Sequence, residues 1–150
     1  MIATLPGIDP NDVPKAMFTF EFLTVFCTLI PITNCSSAPQ FHSDLTEHER
    51  TICSQTAQFE DFVAQYLDRC FVIIESSAMT QTREENANTD LRSTRQESRM
   101  DMGLVGVLNS IVQNCSSEIY DMAMKKVQNF VRGRILETKA AGRIAANICR

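Results

Sequence analysis

The sequence predicts an all-α protein of about five helices, and three observations carry that prediction. The first is the stretch Phe59 to Glu75, where Phe59, Phe62, Val63, Tyr66, Leu67, Cys70, Phe71 and Ile74 recur at steps of three and four. That spacing sets them on one face of an α-helix, with Glu60, Asp61, Gln65, Asp68 and Arg69 on the other. The second is the same spacing in the apolar runs after Met102. The third is the count of five Gly and five Pro in 150 residues, too few for the turns of many short strands. A stripe this wide gains its stability from a partner that covers it. Phe18, Phe20, Phe22 and Phe26 before it and the runs after Met102 are the expected cover. The length fits a single segment, residues 1–150, with a core of its own.

The elements follow in chain order. Met1 to Pro14 is rich in turn formers, Pro6-Gly7 and Asp9-Pro10-Asn11-Asp12. Asp12 is placed to cap a first helix with Pro14 in its first turn, running to about Ile30. That helix is apolar nearly all round, which predicts burial on several sides. Pro31 to Ser43 reads as a loop. Asp44 stands three residues before Glu47, the spacing of a capping box, and opens a second helix that continues to Glu75. A break near Gln55 to Gln58 fits the weaker stripe there. Residues 80–100, TQTREENANTDLRSTRQESRM, hold almost no large apolar group, and their four acids and four arginines cancel. With no face to bury, they are expected to form a flexible polar loop.

A third helix is expected from Met102, with the stripe Leu104, Val105, Leu108, Ile111 and Val112. Asn114 to Ser117 is a break, with Ser116 or Ser117 as the next N-cap. The fourth helix should turn Ile119, Met122, Ala123, Val127, Phe130 and Val131 inward and end at Gly133 as its C′ residue. A last helix, Thr138 to Arg150, carries Ala141, Ile144, Ala145 and Ile148 on one side.

Six cysteines (Cys27, Cys35, Cys53, Cys70, Cys115 and Cys149) include no CxxC pair, so a zinc knuckle is not expected. Four sit in apolar helical patterns, where a free Cys acts as a small hydrophobe, and all six are expected as reduced thiols. Phe18 to Ile32 is apolar and is followed by Cys35-Ser36-Ser37-Ala38, which resembles a signal cleavage site. Asp9 and Asp12 before it oppose the positive charge that such a leader needs. Glu21 interrupts the run, and Pro14 and Pro31 bound it too closely for a membrane span. Asn34-Cys35-Ser36 and Asn114-Cys115-Ser116 match the glycosylation pattern, which has meaning only in a secreted chain.

The net charge of -4 hides an asymmetry. Residues 121–150 hold seven basic groups against two acidic ones, a net +5, and residues 1–120 carry -9. A basic end can meet an acidic partner or nucleic acid; the plainer reading, taken here, is a solvated helix face with no direct nucleic-acid contact. His42 and His48 lack a partner at ligand spacing and read as surface side chains. Glu60-Asp61 and Glu84-Glu85 are neighbours that a helix points apart, so neither is an acid-base pair. GxSxG, HExxH, phosphate-loop and dinucleotide patterns are missing. The expectation is a non-enzyme with no catalytic residues, no cofactor, no metal and no membrane contact.

PGIDPND, FLTVFCTLIPITNCSSA, DLTEHER, FEDFVAQYLDRCFVIIESS, QTREEN and ETKAAGRIAANICR resemble, in one order, consecutive pieces of the proteasome activator complex subunit 4 family. The resemblance runs over almost the whole chain and is weakest from Asn86 to Met100. It implies an α-solenoid segment of HEAT-like helix pairs, a short fragment of a very long chain. It implies a scaffold that caps the core proteasome and promotes degradation without ATP or ubiquitin. It further implies a nuclear and cytoplasmic location, roles in acetylated histone turnover, DNA repair and sperm development, and acetylated histones as partners through regions not in this chain. The family docks by a C-terminal tail ending in a hydrophobic residue, Tyr and one more. Ile148-Cys149-Arg150 does not match that tail, so no functional residue is carried over. A chain this short is expected not to activate the proteasome by itself. The alternative is a generic helical-repeat adaptor or transport scaffold. An unfinished repeat of either kind leaves apolar surface bare.

Overall fold

The computed structural model describes the backbone of residues 1–84 and 91–148 and the side chains of residues 1–75 and 99–135. Five α-helices follow one another: α1 (Val13–Leu29), α2 (Glu47–Gln55), α3 (Gln58–Glu84), α4 (Leu91–Asn114) and α5 (Ser117–Ile148). Short 3-10 turns stand at Ile2–Gly7 and Ala38–Gln40. The described residues contain no β-strand; one isolated bridge pairs Ile32 with Cys115.

The helices are bounded by side chains that satisfy their free backbone ends. Asp12 Oδ1 accepts from the Lys15 N–H at 3.2 Å and starts α1, with Pro14 in the first turn as expected. The cap of α2 is Thr46, not Asp44. Its hydroxyl accepts from the Glu49 N–H at 3.3 Å, and Glu49 Oε2 accepts from the Thr46 N–H at 2.8 Å. The reason lies in Arg50, which donates to the Ser43 and Leu45 carbonyls and so holds those residues outside the helix. The break between α2 and α3 is real. Thr56 donates its hydroxyl proton to the Cys53 carbonyl and accepts from the Cys35 N–H at 2.7 Å, which ties the corner to the preceding loop.

Two expected boundaries are corrected. Residues 80–84 close α3 and residues 91–100 open α4, so the expected loop at 80–100 is helical wherever it is described; residues 85–90 lie outside the described residues. The stretch lacks Gly and Pro and is rich in Arg, Glu and Gln, whose helix propensity needs no buried face. Gly133 does not end a helix either. Its φ is not positive, and α5 runs through it as a single 32-residue helix. A glycine in a helix interior costs only about 1 kcal/mol, which the good helix formers on both sides offset. The five helices therefore divide the chain differently from the five expected: the second splits in two, and the fourth and last become one.

The pairs stack in register. Phe20 lies against Gly103, Thr24 faces Gly106 and Thr28 bonds to Ser110, so α1 and α4 run parallel. Asp68 meets Lys126, Phe71 meets Phe130 and Glu75 meets Arg134, so α3 and α5 run parallel too. The pair α1–α3 thus lies on the pair α4–α5 like successive turns of a solenoid. The core between them holds Phe20, Leu23, Phe62, Val63, Tyr66, Leu67, Val107, Ile111 and Ile119. Leu5 and Ile8 of the N-terminal segment are buried in it as well, a contribution that its turn formers did not signal.

Burial refines the stripes. On α3 the inner line ends at Ile73, not Ile74, which is exposed. Val63, Tyr66, Cys70 and Ile73 also follow steps of three and four, and one residue further is about 100° round the helix. On α4 Val107 is buried while Val105 and Val112 are exposed, and on α5 Val131 is exposed. On α1 only Ala16, Phe20, Leu23 and Cys27 are buried, so the expected burial on several sides is absent, and Phe18 and Phe22 stand exposed.

Candidate functional site

The most developed feature of the molecule is the pair of seams that joins one helix pair to the next. The α1–α4 seam is close. A Cβ placed on Gly103 would stand 2.2 Å from Phe20 Cδ2, so only glycine lets the ring lie on the α4 backbone. Gly103, Gly106 and Ser110 form one line of small residues on α4, spaced three and four apart. Thr28 donates to Ser110 Oγ at 3.1 Å, and the Asn114 amide donates to the Cys27 carbonyl at 3.1 Å. Beyond the helix ends the backbones join directly: the Ile32 N–H donates to the Asn114 carbonyl at 2.8 Å and the Ser116 N–H to the Ile32 carbonyl at 3.0 Å.

The α3–α5 seam is built from charge and aromatic surface. The Phe71 and Phe130 rings stack with centroids 4.1 Å apart and planes 5° from parallel. The Arg134 guanidinium stands 5.6 Å from the Phe130 centroid and pairs with Glu75. Lys126 Nζ meets Asp68 Oδ1 at 2.8 Å. The positive charge of the C-terminal part, read from the sequence as a solvated helix face, is thus partly used within the fold, where Lys126 meets Asp68 and Arg134 meets Glu75. Asp68, Phe71 and Glu75, at steps of three and four, pair with Lys126, Phe130 and Arg134, at steps of four and four, a signal visible only once the two helices are aligned.

Tyr66 links the seams. Its hydroxyl, buried at the centre, donates to the Leu104 carbonyl at 2.7 Å. Burial raises its pKa well above the usual phenol range and pushes the Cys27 and Cys70 thiols up to about 11. Such thiols are poor nucleophiles. Cys35, Cys53 and Cys115 are half-buried; all five described cysteines are free thiols, and Cys149 lies outside the described residues.

No grouping of His, Cys, Asp and Glu among the described residues could hold a metal ion. His42 and His48 are exposed. No described helix is long and apolar enough to cross a membrane. A cavity of about 640 Å³ opens where α1 ends and α3 begins, lined by Phe26, Ile30, Ile52, Phe59 and Phe62 with Thr56. Its walls are apolar and carry no titratable cluster suited to acid-base or nucleophilic chemistry.

Comparison with known proteins matches this architecture to one family. The model of the middle HEAT-repeat region of proteasome activator complex subunit 4 matches residues 37–150. The chain belongs to the proteasome activator complex subunit 4 family. It is 49% identical over 150 residues to the proteasome activator complex subunit 4 of Homo sapiens and 48% identical to that of Xenopus laevis. It is 45% identical to subunit 4A of Danio rerio. In each case the whole chain is matched, and it spans 8% of the relative's length. The parallel seams are therefore the stacking contacts of a HEAT-repeat segment, and the residues that make them are its functional residues in the structural sense. Sequence reading found the core stripe of α3 and missed Gly103, Gly106 and Ser110, although small residues at steps of three and four were there to be read.

Proposed function

We propose that this chain acts as a non-catalytic wall segment of a proteasome activator. The observation that carries the reading is its match along all 150 residues to proteins named for that role, at up to 49% identity. The two parallel seams support it, because a wall that must hold its shape around a large partner needs repeats locked in one register. The partner is the core proteasome, engaged through the long chain in which such a segment sits. The finer reading rests on the family resemblance. It comprises degradation that needs neither ATP nor ubiquitin, a nuclear and cytoplasmic location, and a part in acetylated histone turnover and DNA repair.

The test replaces the matched 150 residues of the human relative with this chain. Fluorogenic peptide hydrolysis by purified core proteasome is then measured with and without the chimera. Stimulation close to that of the parent is the expected result, without ATP in the buffer. A chimera that folds, by circular dichroism and melting, but fails to bind or stimulate the core particle would favour a generic helical-repeat adaptor instead.

A further inference from the structure

Two of the half-buried thiols sit on segments that share one side chain. The Thr56 hydroxyl accepts from the Cys35 N–H at 2.7 Å and donates to the Cys53 carbonyl at 2.6 Å. A single oxygen thus lies between the backbones of the two cysteines. Cys53 and Thr56 are three apart at the end of α2, so their side chains leave the helix on neighbouring lines. Cys35 meets the helix on that side, and its place is fixed from more than one direction. Its carbonyl accepts from the Ala38 N–H at 3.0 Å, and Asn34 before it donates to Glu60 Oε1 of α3 at 2.8 Å. Bridged cysteines stand with their Cα atoms about 4.4–6.8 Å apart. Two segments joined through one hydroxyl come within a small shift of that window.

The other described thiols are placed differently. Cys27 and Cys70 are buried in the core, and the Cys115 thiol turns to the Val112 carbonyl of the helix before it, at 3.8 Å. Cys35 and Cys53 are free and half-buried, and Cys35 lies on the wall of the cavity of about 640 Å³ that opens where α1 ends. A small oxidant reaches the Cys35 thiol through that opening. What a bridge holds is set by α2, which buries no residue and depends on its two ends. Its start has the Thr46 capping box, and its end has the Thr56 corner. A bond between Cys35 and Cys53 fastens the last turn of α2 to the loop that carries the Ala38–Gln40 turn, which packs on the same helix. Closing that loop covalently restricts the chain there and holds α2 in place.

We propose that Cys35 and Cys53 form a reversible disulfide on exposure to a peroxide, as a redox clamp on α2. The Cys35 sulfur attacks one peroxide oxygen, the O–O bond breaks, a sulfenic acid forms and one water leaves. The Cys53 sulfur then attacks the Cys35 sulfur, the S–O bond breaks and a second water leaves. The two thiol protons depart in these waters, and two electrons pass from the sulfurs to the peroxide. A dithiol reductant restores both thiols by exchange and becomes a disulfide itself.

The test uses the human relative carrying this chain in place of its matched 150 residues. The chimera is treated with hydrogen peroxide, free thiols are alkylated, and a tryptic digest is read by mass spectrometry without reduction. Cleavage at Arg50 puts Cys35 and Cys53 on different peptides, and fragment ions distinguish Cys35 from Cys27 on the first of them. A Cys35–Cys53 linked peptide that disappears after dithiothreitol is the expected result. Cys53 linked to Cys27, to Cys115 or to another part of the chain would overturn the proposal, as would both thiols found alkylated. In a Cys53→Ser chimera the Cys35 sulfenic acid has no partner and should be trapped by a cyclic diketone; no adduct at Cys35 would overturn it too. Hydrogen exchange over residues 47–55 should slow at least tenfold when the chimera is oxidised and stay unchanged in Cys53→Ser. Equal exchange in the oxidised and reduced chimera would overturn the clamp. None of these measurements uses core proteasome, so they are independent of the activation assay.

Discussion

Gly103 lies directly against the ring of Phe20, with no room between them for a methyl group: a Cβ there would fall 2.2 Å from Cδ2 and 2.8 Å from Cε2. The contact sets how closely α1 and α4 approach, and with it the register of the two helix pairs. It predicts that one substitution has opposite effects at two positions of the same chain. Gly→Ala in a helix interior gains about 0.5–1 kcal/mol of stability where space is free. Gly133, with nothing within 4 Å of its would-be Cβ, is such a site, so Gly133→Ala should raise the urea midpoint. At Gly103 the added methyl displaces a fully buried ring, and overpacking of that kind costs about 1–3 kcal/mol. Gly103→Ala should lower the midpoint despite its better helix propensity. Equal effects at both sites would show that the seam is looser than described.

The capping box of α2 makes a local prediction. This helix buries no residue, so its ends decide whether it forms. Thr46→Ala removes a cap worth about 1 kcal/mol and should fray α2, seen as faster hydrogen exchange over residues 47–55. Asp44→Ala should leave the exchange unchanged. Hydrogen bonds from Thr46 hold the Glu49 carboxyl below its ordinary pKa. The folded pKa is therefore the lower one, so this contribution is present above the ordinary carboxylate range and is lost as pH falls through the depressed value. Fraying of α2 should appear in acid before the α1–α4 amides of Ile32 and Ser116 are exposed.

The two corrected boundaries show where sequence spacing is informative and where it is not. The stripe of α3 was legible because burial is periodic there. Residues 80–84 and 91–100 were read as loop because their sequence holds almost no large apolar group, yet helix needs only propensity and the absence of breakers. Gly133 was read as a stop for the same reason in reverse: glycine permits an end without requiring one. The outward faces of α1 and α4 were read as core because periodicity reports apolar surface, not what covers it. The seams themselves needed the alignment of residues far apart in sequence, such as Thr28 with Ser110, which no local window contains.

The buried thiols predict a pattern of reactivity and a pH dependence. At neutral pH, Cys35, Cys53 and Cys115 should react with an aromatic disulfide reagent in the folded chain, while Cys27 and Cys70 should react only on unfolding. Labelled peptides read by mass spectrometry would show this. Burial raises both buried thiols from an ordinary value of 9.0 to about 11. A raised folded pKa means that the folded state keeps its proton longer. The stabilisation is complete below about pH 9 and is lost as pH rises towards 11. The urea midpoint should therefore fall from pH 8 to pH 10.5, and less steeply in a Cys27→Ala, Cys70→Ala double variant. A midpoint with the same alkaline slope in both proteins would assign the loss to other groups.

The α3–α5 seam holds ion pairs and a ring stack side by side, and the two should differ in worth. Lys126 and Asp68 are both partly exposed, Asp68 by 60%, so the pair is screened by water and salt. Exposed pairs of this kind contribute about 0.2–1 kcal/mol. Stacked aromatic pairs add about 0.5–1.5 kcal/mol beyond the area they bury, and each ring here covers the other at 4.1 Å. Phe130→Ala should therefore destabilise the chain more than Lys126→Ala. A double-mutant cycle on Phe71 and Phe130 should give a coupling that 0.5 M salt leaves unchanged. The corresponding cycle on Asp68 and Lys126 should give a smaller coupling that the same salt largely removes. If the ion pair proved the stronger and salt-resistant of the two, α3 and α5 would be held by charge rather than by packing.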